Sequence, residues 1–362
     1  MKFGSQPLDL VIIGRSILSS VDNPSAGLYR GLINELAQHG HRTIFLEYAE
    51  PNIVQFRDML RSPYCEVWTY ASLSHLKDQY TLLIRSADIV MMGSGVQDAE
   101  DIAVWISEES RGKSIYYDTD LSRTVASLSA AQKMGDCLSC RTIVNFNLYL
   151  STTGGPALDK LARENGLKCA RPLYESIDPF DFYRTDATKT YELGFIGNYK
   201  EDRKETLGAL LFEPAEYTPA RNFALAGSGY PERSHWPSNL TYLEHLPASN
   251  LVDFYNRQLC TLVISRADRQ EMGYTPTRRL LAAAACGVPV LTRHWEGLSS
   301  FLEPDREIYT VEDRQSVLDV LYGTDEGRRR KMGTKARERI LGEHTIAHRA
   351  QELLAYLAEI TD

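Results

Sequence analysis

The chain has little surplus of positive charge. Its 40 Lys and Arg stand against 48 Asp and Glu, a formal net charge of −8. Non-specific nucleic-acid binding comes from clustered cations that neutralise phosphates, so this balance argues against it. Long apolar runs are also missing: nothing approaches the roughly 18 to 20 consecutive apolar residues that cross a bilayer. The start MKFGSQPLDL lacks a basic region followed by an apolar core, so neither a signal peptide nor a membrane span is expected, and the cytoplasm is the expected compartment. Cysteine is sparse and scattered, at positions 65, 137, 140, 169, 260 and 286, which fits a reduced compartment better than a disulfide framework. Only Cys137 and Cys140 form a C-x-x-C. Without a second pair, or histidines at zinc spacing, that pair is expected to be incidental, a redox pair or half a metal site being the alternative. No metal site is expected. The first strand runs into GRSILSS, without the G-x-G-x-x-G that clamps a dinucleotide pyrophosphate, so hydride transfer loses ground.

What is present is an ordinary globular composition, 43% hydrophobic and 24% charged, in a chain long enough for two domains. LDLVIIG (8–14) reads as a buried strand, GLYRGLINELAQHG as an amphipathic helix with a glycine stop, and TIFLEY (43–48) as a second strand. ADIVMMGSG (87–95) and KSIYYDTD (113–120) extend the series, with QDAEDIAVWISEES as the helix between them. This rhythm predicts a parallel α/β domain. LYESIDPFDFYR (173–184) has no periodicity and reads as an interdomain linker, after which YELGFIGNY (191–199) restarts the strand count. The expected boundaries are 1–178 for the first domain and 185–344 for the second. The amphipathic segment 345–362 forms a terminal helix.

Two carboxylates, Asp118 and Asp120, lie where the KSIYYDTD strand ends, the edge at which open α/β sheets place ligands. A carboxylate there is suited to act as general base toward a hydroxyl, and a turn with acidic caps is the alternative. In the second half, Gly197 and Asn198 end a strand, and Arg203 and Lys204 begin the next helix. Cations in a first turn oppose the helix dipole, which points to an anionic partner or to tolerated surface charge. Gly227 and Ser228 belong to a lone G-S-G, a weak phosphate signal.

The densest stretch is 262–304. LVIS reads as a buried strand, ADRQEMGYT as a polar loop, TRRLLAAAA as a helix stopped by Gly287, and VPVLT as another strand. Thr275 before Pro276 is the expected N-cap. Free N–H groups at Tyr274, Thr275 and Thr277 would form an anion site, flanked by Arg266, Arg278 and Arg279. A purely structural crossover gives the same pattern.

The run GYTPTRRLLAAAACGVPVLTRHWEGLSSFLEPDREI (273–308) resembles the signature of the CgeB-like, group-1-type glycosyltransferases. YYDTD is similar to that family's Tyr-Asp-x-Asp-Thr-Pro motif, with Leu121 and Ser122 in place of Thr-Pro, and TTGGPAL (152–158) matches another of its segments. The resemblance implies a GT-B fold: two Rossmann-like parallel-sheet domains facing across a cleft, with the C-terminal helix crossing back to the first. It implies transfer of a sugar from a nucleotide-diphosphate donor, a UDP-sugar first, to a hydroxyl acceptor on a glycan, protein or small molecule, without a metal or other cofactor. It also implies that the donor diphosphate meets the Thr275 helix start, that GNYKEDR with Gly197, Asn198 and Arg203 is the donor-side loop, that His245 flanks the base, and that Glu296 faces the donor sugar. One position departs. The family's ribose-binding glutamate falls at Ala282, so Glu271 or Glu296 would have to substitute. An epimerase or phosphorylase of the same fold, and a non-catalytic nucleotide-sugar binder, are the competing readings.

Overall fold

The computed structural model describes residues 7–20, 23, 25–49, 57–129, 135–231 and 236–360. It divides into two compact units, 1–174 with 346–362, and 175–345.

The first unit is built on seven parallel strands in the order β3-β2-β1-β4-β5-β6-β7: β1 Asp9–Gly14, β2 Arg42–Tyr48, β3 Glu66–Tyr70, β4 Ile89–Gly93, β5 Lys113–Asp118, β6 Leu148–Ser151 and β7 Ala170–Pro172. Side chains alternate across a strand, and β1 shows the result directly. Val11 and Ile13 join the core on one face, with Val90, Met92 and Tyr116. Leu10 and Ile12 join the other, with Met91 and Tyr117. Both faces are buried, which is why the central strands read as near-continuous apolar runs. The edge strand β3, EVWTY, is mostly exposed and carries no such run, so the sequence pattern passed over it.

The helix Ile346–Glu359 belongs to this unit. Ile346, Ala350, Leu353 and Leu357 recur at helical spacing and pack with Leu28, Leu32 and Leu36 of the helix Ala26–Gln38. At Gly31 a methyl group would lie 2.7 Å from Ile346 Cγ1, so the two helices approach backbone to side chain. Among the described residues no helix is long and apolar enough to cross a membrane.

The second unit carries six parallel strands in the order β10-β9-β8-β11-β12-β13: β8 Tyr191–Ile196, β9 Phe223–Ala226, β10 Leu240–Leu243, β11 Gln258–Val263, β12 Val290–Thr292 and β13 Tyr309–Thr310. The order reverses between β8 and β11, and the carboxyl ends of strands at such a switch point border a ligand crevice. Residues 197–203 leave one of these strands and Arg266 follows the other. The corresponding switch in the first unit lies between β1 and β4.

Local structure departs from the sequence pattern in two places near 270. The segment ADRQEMGYT, polar in pattern, contains the helix Ala267–Met272, closed by Gly273 at φ 65°. The following helix is Arg278–Ala285, and its N-cap is Thr277, not Thr275. Thr277 is extended and its hydroxyl accepts from Leu280 N at 3.3 Å, which satisfies one of the free donors at the helix start. Thr275 is only 3% exposed, with its side chain turned into the protein.

Candidate functional site

Strand ends in the second unit are stapled to one another. Asn198 Oδ1 accepts from Ser228 N at 3.2 Å, and Tyr199 N donates to Ser228 O at 2.9 Å. Gly227, at φ 137°, has room for no side chain: a Cβ would stand 2.2 Å from Gly197 O. Tyr230 donates its hydroxyl to the same carbonyl at 2.7 Å. The loops after β8 and β9 therefore form one rigid turn, in which Gly197, Asn198, Gly227 and Ser228 are held together.

Arg203 sits beneath this turn at 7% exposure, in the short turn Glu201–Arg203. Its Nη2 donates to Asn198 O at 2.9 Å, and its buried Nε has no hydrogen-bond partner. Its pKa is pushed down by burial and then by the nearby charges of Arg279 and Arg266, with Asp202 and Tyr230 working in the opposite sense. Burial pushes the Tyr230 phenol up to about 12, against the pull of Arg203 and Arg279. Three guanidiniums, those of Arg203, Arg266 and Arg279, thus share one neighbourhood. Lys204, by contrast, is exposed and pairs with Glu201 at 3.4 Å. Of the two cations in that first turn, only Arg203 is buried.

The third wall comes from the loops after β11 and β12. Tyr274 N donates to Glu296 O at 2.6 Å. Gly297, at φ 84°, lies against the Tyr274 ring, where a Cβ would be 2.5 Å from Cδ1. Ala267 N donates to Asp202 Oδ2 at 3.2 Å and ties this wall to the Arg203 turn. Arg266 is partly engaged already: its Nε and Nη2 bind the two oxygens of Asp268 at 3.0 and 2.6 Å. Residue pattern could not show this pairing, because Arg266 and Asp268 are two apart and their meeting depends on the chain turning into a helix between them.

Arg278 does not join Arg279. Its guanidinium lies 5.9 Å from the centre of the Phe182 ring. Helical spacing puts Arg278, Ala282 and Cys286 on one face, turned toward segment 175–184. Ala282, 2% exposed, brings no carboxylate to that face. Glu175 does: its Oε2 is enclosed without a hydrogen-bond partner, and burial pushes its pKa up while Arg278 and Arg269 pull it down. The sequence reading placed Glu175 in a linker, where an aperiodic segment gives no sign of burial. His245 and Glu271 are exposed, and among the described residues no hydrogen bond or ion pair ties either to these loops. The structure thus brings Gly197, Asn198, Arg203, Gly227, Ser228, Arg266, Tyr274, Thr275, Thr277, Arg279 and Glu296 to the carboxyl edge of one sheet. His245, just after β10, and Glu271, in the helix after β11, follow strands of the same sheet as exposed side chains.

In the first unit Asp118 and Asp120 do not share one side of an extended chain. The strand ends at Asp118, and Asp120 stands just before the helix Leu121–Ser129. Asp118 is wholly buried; its Oδ1 accepts from Asp120 N at 2.8 Å and its Oδ2 from the Tyr149 hydroxyl at 2.5 Å. Burial raises its pKa, opposed by the hydrogen bonds from Tyr149, Thr124 and the Asp120 backbone. Asp120 is half-buried and takes the Ser122 hydroxyl at 2.8 Å. Beside it Thr119 Oγ1 meets the hydroxyls of Ser94 at 3.0 Å and Ser25 at 3.1 Å, a cluster the sequence reading missed. Ser94 follows β4, so this cluster also lies at a carboxyl edge.

Residues 203–355 match a sequence family described as glycosyl transferase-like. No curated protein matches the chain significantly by sequence. Among solved structures, sucrose-phosphate synthase from Thermosynechococcus elongatus is similar at 13% identity, over 98% of this chain and 99% of that one, with a TM-score of 0.64. HepE of Anabaena, in complex with UDP and glucose, is similar at 11% identity, over 97% and 100%, with a TM-score of 0.68. An alpha-glucosyltransferase in complex with UDP and a DNA containing an HMU base is similar at 12% identity, over 98% and 100%, with a TM-score of 0.72. At such identities the likeness speaks for the fold. The fold is GT-B, two Rossmann-like parallel-sheet domains.

Proposed function

We propose that this chain is a glycosyltransferase that moves a sugar from a nucleoside-diphosphate donor to a hydroxyl acceptor. The observation that carries the reading is the cluster of Arg203, Arg266 and Arg279 at the carboxyl ends of β8 and β11. Arg203 is held there at a cost, buried beside like charges with an unsatisfied Nε. A diphosphate supplies what that neighbourhood lacks, two anionic groups and several acceptor oxygens. The glycosyl transferase-like match begins at Arg203 and takes in Arg266 and Arg279. UDP and UDP-glucose accompany two similar structures, which makes a UDP-sugar the first donor to test. The run 273–308 supports the narrower resemblance to the CgeB-like group.

In the proposed reaction the bond from the anomeric carbon to the diphosphate oxygen breaks, and the acceptor oxygen bonds to that carbon. Negative charge grows on the leaving diphosphate, and preorganised guanidiniums stabilise it as it forms. Those fixed charges support a reaction that needs no metal. Asp120 takes the acceptor proton, because its carboxylate is half-exposed, whereas Asp118 is committed to Tyr149 and to the Asp120 backbone. The hydroxyls of Thr119 and Ser94 stand beside Asp120 and suit a polyhydroxylated acceptor.

One observation favours a second reading, a binder of nucleotide sugars without turnover: no carboxylate stands at Ala282. Calorimetry of the full chain against UDP-, GDP-, TDP- and ADP-sugars tests both. One clear binder that is also turned over supports the enzyme. A binder consumed by no acceptor in a panel of sugars, glycopeptides and small alcohols supports the second reading, and the absence of any binder overturns both.

A further inference from the structure

The second unit carries another cationic cavity, at the opposite edge of its sheet. Its volume is about 310 Å³, and its lining includes Lys189, Leu259 and Pro289, each just before or at the start of β8, β11 or β12. The candidate donor loops leave the other ends of these strands, so the two places do not overlap. A space of this size sits at the small end of the range of metabolite pockets.

Its charge is unbalanced. Arg184, Lys189, Arg329 and Arg330 line it, against Asp186 and Glu326. Among the described residues, Arg184 and Arg330 pair with no carboxylate. Lys189 Nζ donates to Asn256 O at 2.8 Å, and its pKa is lowered by burial and then by Arg184. Arg329 turns Nη1 to the carbonyls of Val320, Leu321 and Thr324, yet its Nε is buried without a partner. Gly287 forms part of the wall; a Cβ there would lie 3.4 Å from Arg184 Cδ and 3.6 Å from Arg337 Cδ. The 18-residue helix Glu326–Glu343 starts at the same space, its first turn already capped by Asp325, which accepts from Arg328 N at 2.9 Å. Arg184, Lys189 and Arg330 are exposed at the rim of this open cavity, so solvent screens part of their mutual repulsion, and a bound anion relieves what remains.

We propose that this cavity is a second, separate anion site that takes a small phosphate monoester, a sugar phosphate in size, held by Arg184, Lys189 and Arg330. It stands independently of the donor site and of the reaction proposed for it. A phosphate dianion matches the two-charge surplus, and the remaining volume accommodates a body no larger than a hexose.

Titration of the full chain with hexose 6-phosphate and with inorganic phosphate, followed by calorimetry at low salt, tests this. The wild type is expected to bind hexose 6-phosphate saturably at one site, and more tightly than inorganic phosphate. In Lys189→Gln/Arg330→Gln that binding is expected to weaken at least about tenfold, the loss of one charge-assisted hydrogen bond. Arg203→Gln is the control and is expected to leave it unchanged. If the wild type shows no saturable binding, the proposal is wrong. It is equally wrong if the double variant, folded by circular dichroism, binds as the wild type does, or if Arg203→Gln alone abolishes binding, which would place the phosphate at the donor loops. Should the double variant fail to fold, Arg184→Gln, at an exposed side chain, carries the same expectation of weakened binding, and an unchanged affinity overturns it.

Discussion

The Nη2 of Arg203 donates to the backbone carbonyl of Asn198 at 2.9 Å, and this bond clamps the guanidinium under the turn that follows β8. The clamp fixes where the charge points and leaves Nε enclosed without a partner. Replacing Arg203 by Gln is expected to weaken UDP binding by about 1.5 to 3 kcal/mol, the worth of a hydrogen bond to a charged group. Arg203→Lys should restore only part of it, since an ammonium cannot reproduce the fork. Calorimetry with UDP decides, and an affinity unchanged in both variants would move the diphosphate elsewhere.

Arg266 begins from a different position, because Asp268 already takes two of its N–H groups. Asp268→Asn should therefore tighten UDP binding by a few-fold, with about 0.5 to 1 kcal/mol regained from a partner that no longer competes. Arg266→Ala is expected to cost affinity, and less than Arg203→Gln does. A salt series sharpens the comparison: the gain from Asp268→Asn should shrink as ionic strength rises.

The two carboxylates of the first unit should separate in behaviour. Asp120→Asn is expected to reduce turnover at least about a hundredfold with UDP-sugar affinity intact. Tyr149→Phe, which strips Asp118 of a buried hydrogen bond, should instead cost about 1 to 3 kcal/mol of stability. Urea unfolding and steady-state kinetics on both variants show whether the roles divide this way.

Asp118 also sets a pH dependence. Its folded pKa lies above the ordinary carboxylate value, with burial as the main cause. The folded state then holds a proton that the unfolded state has released, so this group favours folding below the ordinary carboxylate pKa. Its contribution is lost as pH rises through the raised value. Asp118→Asn is expected to flatten that part of the stability curve, followed as urea midpoints from about pH 4 to about pH 7. A curve parallel to the wild type across that range would rule this out.

Gly297 offers a purely steric test. A methyl group there meets the Tyr274 ring at 2.5 Å on backbone at φ 84°. Gly297→Ala should cost about 1 to 3 kcal/mol of stability and displace Tyr274, and Gly297→Ala with Tyr274→Ala should recover part of the loss. The double-mutant cycle in urea measures that recovery.

Much of this architecture was legible from residue order. Continuous apolar runs such as LVIIG and IVMMG suit strands buried on both faces, and their alternation with amphipathic helices implies parallel sheets. The glycines at 197 and 227 and the arginines at 203, 266 and 279 stand out because their types suit anion binding. What residue order could not supply was who occupies whom. Asp118 and Asp120 look equivalent as letters, and only the neighbouring strand β6, bearing Tyr149, makes one of them a buried acceptor. Arg278 and Arg279 are adjacent, yet the turn of a helix sends one toward Phe182 and the other toward Arg203. Thr277 rather than Thr275 caps that helix because Leu280 N lies within reach of one hydroxyl and not the other. The unpaired Nε of Arg203, the Asp268 clamp on Arg266 and the enclosed carboxylate of Glu175 are properties of distance and burial. The Asp268 clamp depends on a local helical turn, and the other two on residues far apart in the chain being packed together; none of them is written in residue order alone.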